Sequence, residues 1–387
     1  TRPPTRNQKK GEATVRLLIC AGGTGGGVYP ALAVLKALGD QANPVLWVGG
    51  QGGMEADLVQ RAGIPFQAIP AAGVHGVGLT SLPGNLLRLA RGVFASRRIL
   101  QQFKPQVILF TGGYVAAPMA VAARRTPSLL VVPDIEPGLA LKFLARYADR
   151  IALTTPASQA YFSAQASTVV TGYPTRSELR SWPGRKVEAR QLLGIQSELP
   201  VVLVFGGSKG ARSINQALLP ILSTLLQTAE VVHISGSLDA NSARTYGDIL
   251  PPALAARYHL YPYLHEEMGA ALAAADLVVS RAGASILGEY PLFGLPAILV
   301  PYPYAWRYQK VNADYLLQHG AAELLPDEQL QAQLLPVIQA ALHNPQKLEA
   351  MKSAVRSLAR PDAALEIANL ALELAESHAT RKGNRHG

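Results

Sequence analysis

Cysteine is nearly absent: Cys20 is the only one in 387 residues. A lone thiol excludes an internal disulfide framework and any metal site built from several cysteines, and it suits a reducing compartment. Long apolar runs are missing as well. No stretch approaches the ~18 residues that a membrane-spanning helix requires. The N-terminus, "TRPPTRNQKKGEAT", is basic and polar where a secretory signal would be apolar, so residues 1–15 read as a disordered leader or an expression remnant. Acid is scarce in one half only. Residues 1–173 hold 17 Lys and Arg against 7 Asp and Glu, whereas residues 174–387 hold 19 of each, so the whole formal charge of +10 sits in the N-terminal half. A one-sided basic field favours an anionic surface as partner.

What is present is a globular composition, 49% hydrophobic with 16% charged residues, over a length that suits two domains. Apolar, β-branched runs alternate with helical patterns: "VRLLICA", "PVLWVGG", "PQVILFTGG", "SLLVVPD", "RIALTT", then "VVLVFGGS", "AEVVHISG", "DLVVSRAGA" and "PAILVPYP". That alternation predicts parallel sheets with crossover helices, an α/β chain of two Rossmann-like, doubly wound domains. The Pro-, Gly- and charge-rich stretch Gly172 to Pro200 reads as the connection between them, and residues 361–378 as a final helix. Between Leu79 and Lys104, Leu82, Leu86, Leu89 and Val93 fall at helical spacing beside Arg88, Arg91, Arg97, Arg98 and Lys104. This is either a basic amphipathic helix for an anionic membrane or a surface helix packed on its own domain.

Two strands run into glycine-rich loops that open helices, "CAGGTGGGVYPALAV" from Cys20 and "GGSKGARS" from Gly206. Glycine there lets backbone N–H groups approach a ligand, and the helix N-terminus adds partial positive charge, so both loops are candidate phosphate cradles. Neither brings an acid on a second strand at the dinucleotide spacing, which disfavours a redox cofactor. The second loop also lacks the P-loop spacing, which disfavours nucleotide hydrolysis.

Seven motifs together carry a resemblance: "AGGTGGGVYPALAV", "GGMEADLV" (Gly52–Val59), "TGGYVAAP" (Thr111–Pro118), "GYPTR" (Gly172–Arg176), "GGSKGARSIN" (Gly206–Asn215), "SRAGASILGE" (Ser280–Glu289) and "GLPAILVPYPYAWRYQKVNA" (Gly294–Ala313). In content and order the series resembles the MurG family of bacterial cell-wall glycosyltransferases. The resemblance implies a GT-B fold with two Rossmann-like domains facing across a cleft. An acceptor- and membrane-facing domain would span residues 16–173, joined by the returning helix 361–378, and a UDP-GlcNAc domain residues 174–360. It implies a peripheral enzyme on the cytoplasmic face of the membrane, making an inverting, metal- and cofactor-independent transfer. GlcNAc would pass from UDP-GlcNAc to the 4-hydroxyl of a lipid-linked muramoyl pentapeptide. The implied partners are these two substrates, an anionic membrane surface and other cell-wall synthesis proteins, and not nucleic acid.

By the same resemblance Glu289 would accept from the ribose hydroxyls, which a carboxylate's paired oxygens suit. Arg281, Gly283, Ala284 and Ser285 would face the diphosphate and sugar through backbone groups. Ser208 would reach a phosphate oxygen, and Arg176 would add a cation. Gln309 and Asn312 would read GlcNAc hydroxyls, and Leu264 and His265 would line the uracil edge. On the first loop Thr24, Gly25 and Gly26 would meet the donor, while Gly23, Gly27 and Tyr114 would lie on the acceptor side.

Two positions depart from the family pattern. Its loop carries histidine where this chain has Gly27, and its His-Glu-Gln-Asn segment is replaced by "PDIEPG", Pro133 to Gly138. Inverting transfer needs a group to take the acceptor proton. Asp134 and Glu136, just past a predicted strand end, are the candidate bases, or else they form an acidic turn held by its prolines. The alternatives to a transferase are a catalytically silent relative that binds UDP-sugar or lipid, and a sugar-nucleotide epimerase on the same fold.

Overall fold

The computed structural model describes residues 14–383, apart from 23–24, 54, 73–81, 208–209 and 305–307. Two all-parallel sheets organise it. The first contains β1 (Val15–Ala21), β2 (Ala42–Gly50), β3 (Phe66–Ile69), β4 (Val107–Gly112), β5 (Ser128–Val132), β6 (Arg150–Leu153) and β7 (Thr168–Val170), in the order β3-β2-β1-β4-β5-β6-β7. The second contains β8 (Val201–Phe205), β9 (Glu230–Ile234), β10 (Tyr258–Tyr261), β11 (Leu277–Ser280), β12 (Ala297–Leu299) and β13 (Ala322–Leu324), in the order β10-β9-β8-β11-β12-β13. The chain is thus two Rossmann-like domains.

The alternation of side chains along each strand explains the unbroken apolar runs. Leu17 and Ile19 of β1 face one way, against Val28, Ala31 and Val34 of the helix Gly25–Leu38. Leu18 and Cys20 face the other way, with Phe110, Met119 and Ile99. A strand covered on both faces by crossover helices has no side left for water. The second sheet repeats the plan, with Leu203 and Val278 in one core and Val204 and Val279 in the other.

The last helix, Ala363–Gly383, lays Ile367, Ala368 and Ala371 into the core of the first sheet. The chain therefore crosses between domains twice, at 172–176 and at 358–362, and the crossings touch. Arg360 Nη1 donates to Val170 O at 3.4 Å, Arg180 Nη2 to Asp362 Oδ1 at 2.9 Å, and a Cβ on Gly172 (φ +98°) would lie 2.6 Å from that of Arg360. Most of the stretch read as a connection belongs to the second core: Leu179, Ala189, Leu193 and Ile195 are all buried there.

In each sheet the strand order reverses next to the first strand, between β1 and β4 and between β8 and β11. Crossover helices then leave on opposite faces, which opens a crevice beyond the strands' carboxyl ends. All four of these strands run into a quoted motif. At the first crevice the loops after β1 and β4 meet backbone to backbone, and a Cβ on Gly113 (φ +84°) would stand 2.3 Å from Gly22 O.

Candidate active site

A cavity of about 270 Å³ lies between the two crevices. The first domain contributes Gly26 and Tyr29, at the start of a helix, and the second contributes Gly207, Gly283, Ala284 and Ser285 from the loops after β8 and β11. Phe205, Ile234, Leu264 and Met268 form an apolar wall, while Arg176 and Glu289 supply the charge.

Glu289 sits in the first turn of the helix Ile286–Phe293 and is 6% exposed. Burial raises its carboxyl above the ordinary carboxylate range, opposed by the charge of Arg176 and by hydrogen bonds from Ser285 and Arg176. Arg176 Nη2 stands 3.5 Å from Glu289 Oε1, and its guanidinium lies 5.3 Å from the centre of the Tyr29 ring. The Tyr29 hydroxyl is in turn 3.5 Å from that of Tyr263, and burial first, then this contact, pushes its phenol up to about 12. These contacts span the cleft.

Of the side chains expected at the donor, Arg176, Leu264, Ser285 and Glu289 line this one cavity together with Gly26, Gly283 and Ala284. Gly25 opens the adjoining helix. Thr24, Gly23 and Ser208 lie outside the described residues. The side chains of Arg281, Gln309 and Asn312 are engaged outside this lining, while that of His265 rests on one of its members. His265 packs on Tyr263, ring centres 4.5 Å apart. Arg281 turns into its own domain, where Nη1 donates to Asp327 Oδ1 at 2.5 Å and Nη2 to Ser213 Oγ at 2.6 Å, leaving only its backbone toward the loop. Gln309 accepts from Tyr302 N at 2.9 Å. Asn312 is wholly buried, with its carboxamide on Asp134, Ile135 and Ala282 rather than in the cavity.

On the acceptor side, Gly27 is buried in the first helical turn and its carbonyl accepts from Thr111 Oγ1 at 2.6 Å. Tyr114 is about half exposed. Asp134 accepts from Asn312 Nδ2 at 2.8 Å, and burial raises its pKa against that bond. Glu136 is buried, 3.6 Å from Lys142 Nζ. Tyr29, Tyr173 and Tyr263 complete the cavity without having been singled out in the sequence. Tyr29 falls four positions after Gly25, on the same helical face, which is the one available signal.

Chemically, helix N-termini and Arg176 suit a diphosphate, a buried carboxylate suits a vicinal diol, and the apolar wall suits a planar base. Two facing Rossmann-like domains with such a cavity at their switch points define the GT-B fold class. The glycosyltransferase family 28 models match here, the N-terminal domain at residues 17–153 and the C-terminal domain at 201–367. A Roseiflexus sp. (strain RS-1) protein, "UDP-N-acetylglucosamine--N-acetylmuramyl-(pentapeptide) pyrophosphoryl-undecaprenol N-acetylglucosamine transferase", is 40% identical over 92% of this chain and 94% of its own length. The protein of the same name from Desulforudis audaxviator is 39% identical over 93% and 99%. The crystal structure of Acinetobacter baumannii MurG superposes with a TM-score of 0.75 at 29% identity, covering 93% of this chain and 99% of that one. The chain belongs to the MurG family of N-acetylglucosamine transferases. A UDP-GlcNAc 2-epimerase from Neisseria meningitidis shares the fold, at TM-score 0.64 and 15% identity.

Proposed function

We propose that this protein transfers GlcNAc from UDP-GlcNAc, with inversion, to the 4-hydroxyl of the undecaprenyl-diphospho-muramoyl pentapeptide. The observation that carries this reading is the convergence of Glu289, Arg176 and the glycine loop Gly283–Ser285 on one interdomain cavity. The domain of residues 174–360 takes the donor, with the ribose on Glu289 and the diphosphate facing helix N-termini and Arg176. The domain of residues 16–173, with the helix 361–378, takes the acceptor. The acceptor oxygen bonds to the anomeric carbon as the bond to the diphosphate breaks. UDP departs with the electron pair, stabilised by backbone N–H groups without a divalent metal.

Asp134 takes the acceptor proton in this reading. Its second oxygen, Oδ2, is the proton acceptor while Oδ1 is held by Asn312, and Glu136 is the alternative base. No helix among the described residues is long and apolar enough to cross a membrane. The protein works from the cytoplasmic surface, docked through the helix Leu82–Phe103, whose Leu86, Leu87 and Phe94 are more than half exposed. UDP release measured with and without the lipid-linked acceptor tests the function. Acceptor-dependent release is expected. Release without it, epimerised sugar nucleotide, or binding without turnover would each replace this reading. Asp134→Asn should lower turnover ~10²–10⁴-fold. If it and Glu136→Gln both turn over like the unsubstituted enzyme, neither carboxylate is the base.

A further inference from the structure

Glu55 opens the short helix Glu55–Arg61 of the first domain and is 1% exposed, yet no step of the transfer uses it. Its carboxyl folds back toward the carboxyl ends of β1 and β2. Oε1 accepts at 2.8 Å from the backbone N of Gly50, the last residue of β2. A Cβ on Gly53 would lie 2.3 Å from both Oε1 and Oε2, and one on Gly22, the first residue after β1, 2.3 Å from Oε1. Neither glycine has a positive φ. Glycine is therefore present at 22 and 53 for space and not for backbone conformation, and the Glu55 carboxyl fills that space.

An acid in the first turn can serve its own helix alone, but Gly22 belongs to another strand. The same glycine is gripped from the β4 side. A Cβ on Gly113 would stand 2.3 Å from Gly22 O, and a Cβ on Gly22 would stand 3.1 Å from Val115 Cγ1. The residue before it is fastened to β2, since Trp47 Nε1 donates to Ala21 O at 3.0 Å. In the strand order β2-β1-β4, the start of the first glycine loop is thus wedged between the Glu55 carboxyl and the segment 113–115. That loop leads to Gly27, and the segment carries Tyr114, the two described residues expected on the acceptor side. An apolar side chain would fill the same space without needing a partner. The carboxyl adds a directional bond to Gly50, which fixes where it presses.

We propose that Glu55 is a positioning residue for the acceptor: its carboxyl sets the place of Gly22 and, through Gly22, of the segment that carries Tyr114. The proposal rests on the transferase reading for its kinetic consequence only. A displacement of about 1 Å at an active site costs up to ~10²-fold in rate. The donor cavity takes its charge from Arg176 and Glu289 and its apolar wall from the second domain, so loss of the wedge should appear in acceptor use while UDP binding persists.

The test compares Glu55→Ala, Gly53→Ala and the double variant. A methyl at position 53 evicts the carboxyl from its place, whereas in the Glu55→Ala background the same methyl enters vacated space. Each single variant should lose about 10- to 100-fold in kcat/KM for the lipid acceptor while its affinity for UDP, by calorimetry, stays within about threefold. The double variant should be no worse than Glu55→Ala alone. A matching loss in UDP affinity would mark general damage and overturn the proposal, as would unchanged acceptor kinetics or losses that multiply in the double variant. If Glu55→Ala does not fold, Gly53→Ala decides alone by the same two measurements. Absence of transfer by the unsubstituted enzyme would sink the transferase reading instead. Hydrogen exchange would then decide the proposal: faster exchange at 25–30 and 112–116 in both single variants upholds it, and unchanged exchange ends it.

Discussion

Arg176 Nη2 lies 3.5 Å from Glu289 Oε1, and both groups face the cavity between the domains. The pair, with the hydrogen bond from Ser285, keeps a buried carboxylate compensated before any ligand arrives.

Glu289→Ala is therefore expected to weaken UDP binding by about 1–3 kcal/mol, roughly 5- to 150-fold, since it leaves both the ribose and Arg176 without their acceptor. Titration calorimetry measures this directly. Equal affinity for UDP in the two proteins would remove Glu289 from the site.

The helix Leu82–Phe103 exposes Leu86, Leu87 and Phe94, with Arg97 beside the Phe94 ring at 5.9 Å. Basic residues near an anionic bilayer contribute on the order of 1 kcal/mol each. Replacing Arg88, Arg91, Arg97 and Arg98 with glutamine should release the protein from vesicles of anionic lipid in a sedimentation assay. If the variant sediments like the unsubstituted protein, the helix is only a surface element.

His233 is wholly buried, with Nε2 2.9 Å from Asn215 Oδ1 and Nδ1 2.7 Å from the Tyr258 hydroxyl. Burial lowers its pKa from 6.5 to about 4, so the folded protein keeps the ring neutral while the unfolded chain takes up a proton. Stability from this group is fully present above pH 6.5 and is lost as pH falls toward 4. The loss is on the order of 3 kcal/mol. Calorimetric unfolding between pH 7 and pH 4.5 should show a steeper decline for the natural sequence than for His233→Gln; parallel curves would mean that His233 already carries its proton when folded.

Gly27 occupies the first turn of its helix, and a Cβ there would meet Thr111 O at 3.4 Å, Thr111 Oγ1 at 3.6 Å and Gly22 O at 3.9 Å, ordinary contacts. Alanine at this site should raise the stability of the domain by about 0.5 kcal/mol, or roughly 1–2 °C in midpoint, because it restricts the unfolded chain. A fall in the midpoint would show that the loop depends on glycine here.

Among the described residues nine strands were legible as apolar runs in the sequence, and the four that were not, β3, β7, β10 and β13, are the outermost strands of the two sheets. "FQAI", "TVV", "YHLY" and "AEL" are short, and on the whole less buried than the runs they flank. A strand paired on one side only has less reason to be long or uniformly apolar. The donor loops were readable because glycine at a strand end is a local signal. The tyrosines at 29, 173 and 263 were not, since they meet only when two domains face each other. For the same reason the sequence left the acids of "PDIEPG" as candidate bases or an acidic turn, whereas Ile135 between them is anchored in the other domain's core.

The two contacting crossings, with Arg360 against Gly172 and Arg180 on Asp362, stand at one corner of the interface. Two chain segments fastened there act as a door hinge rather than a tether. Any opening of the cleft has to be a rotation about that corner, so displacement grows with distance from it. Ligand exchange through such an opening would be a swing of one leaf, with the fastened corner returning the two leaves to register.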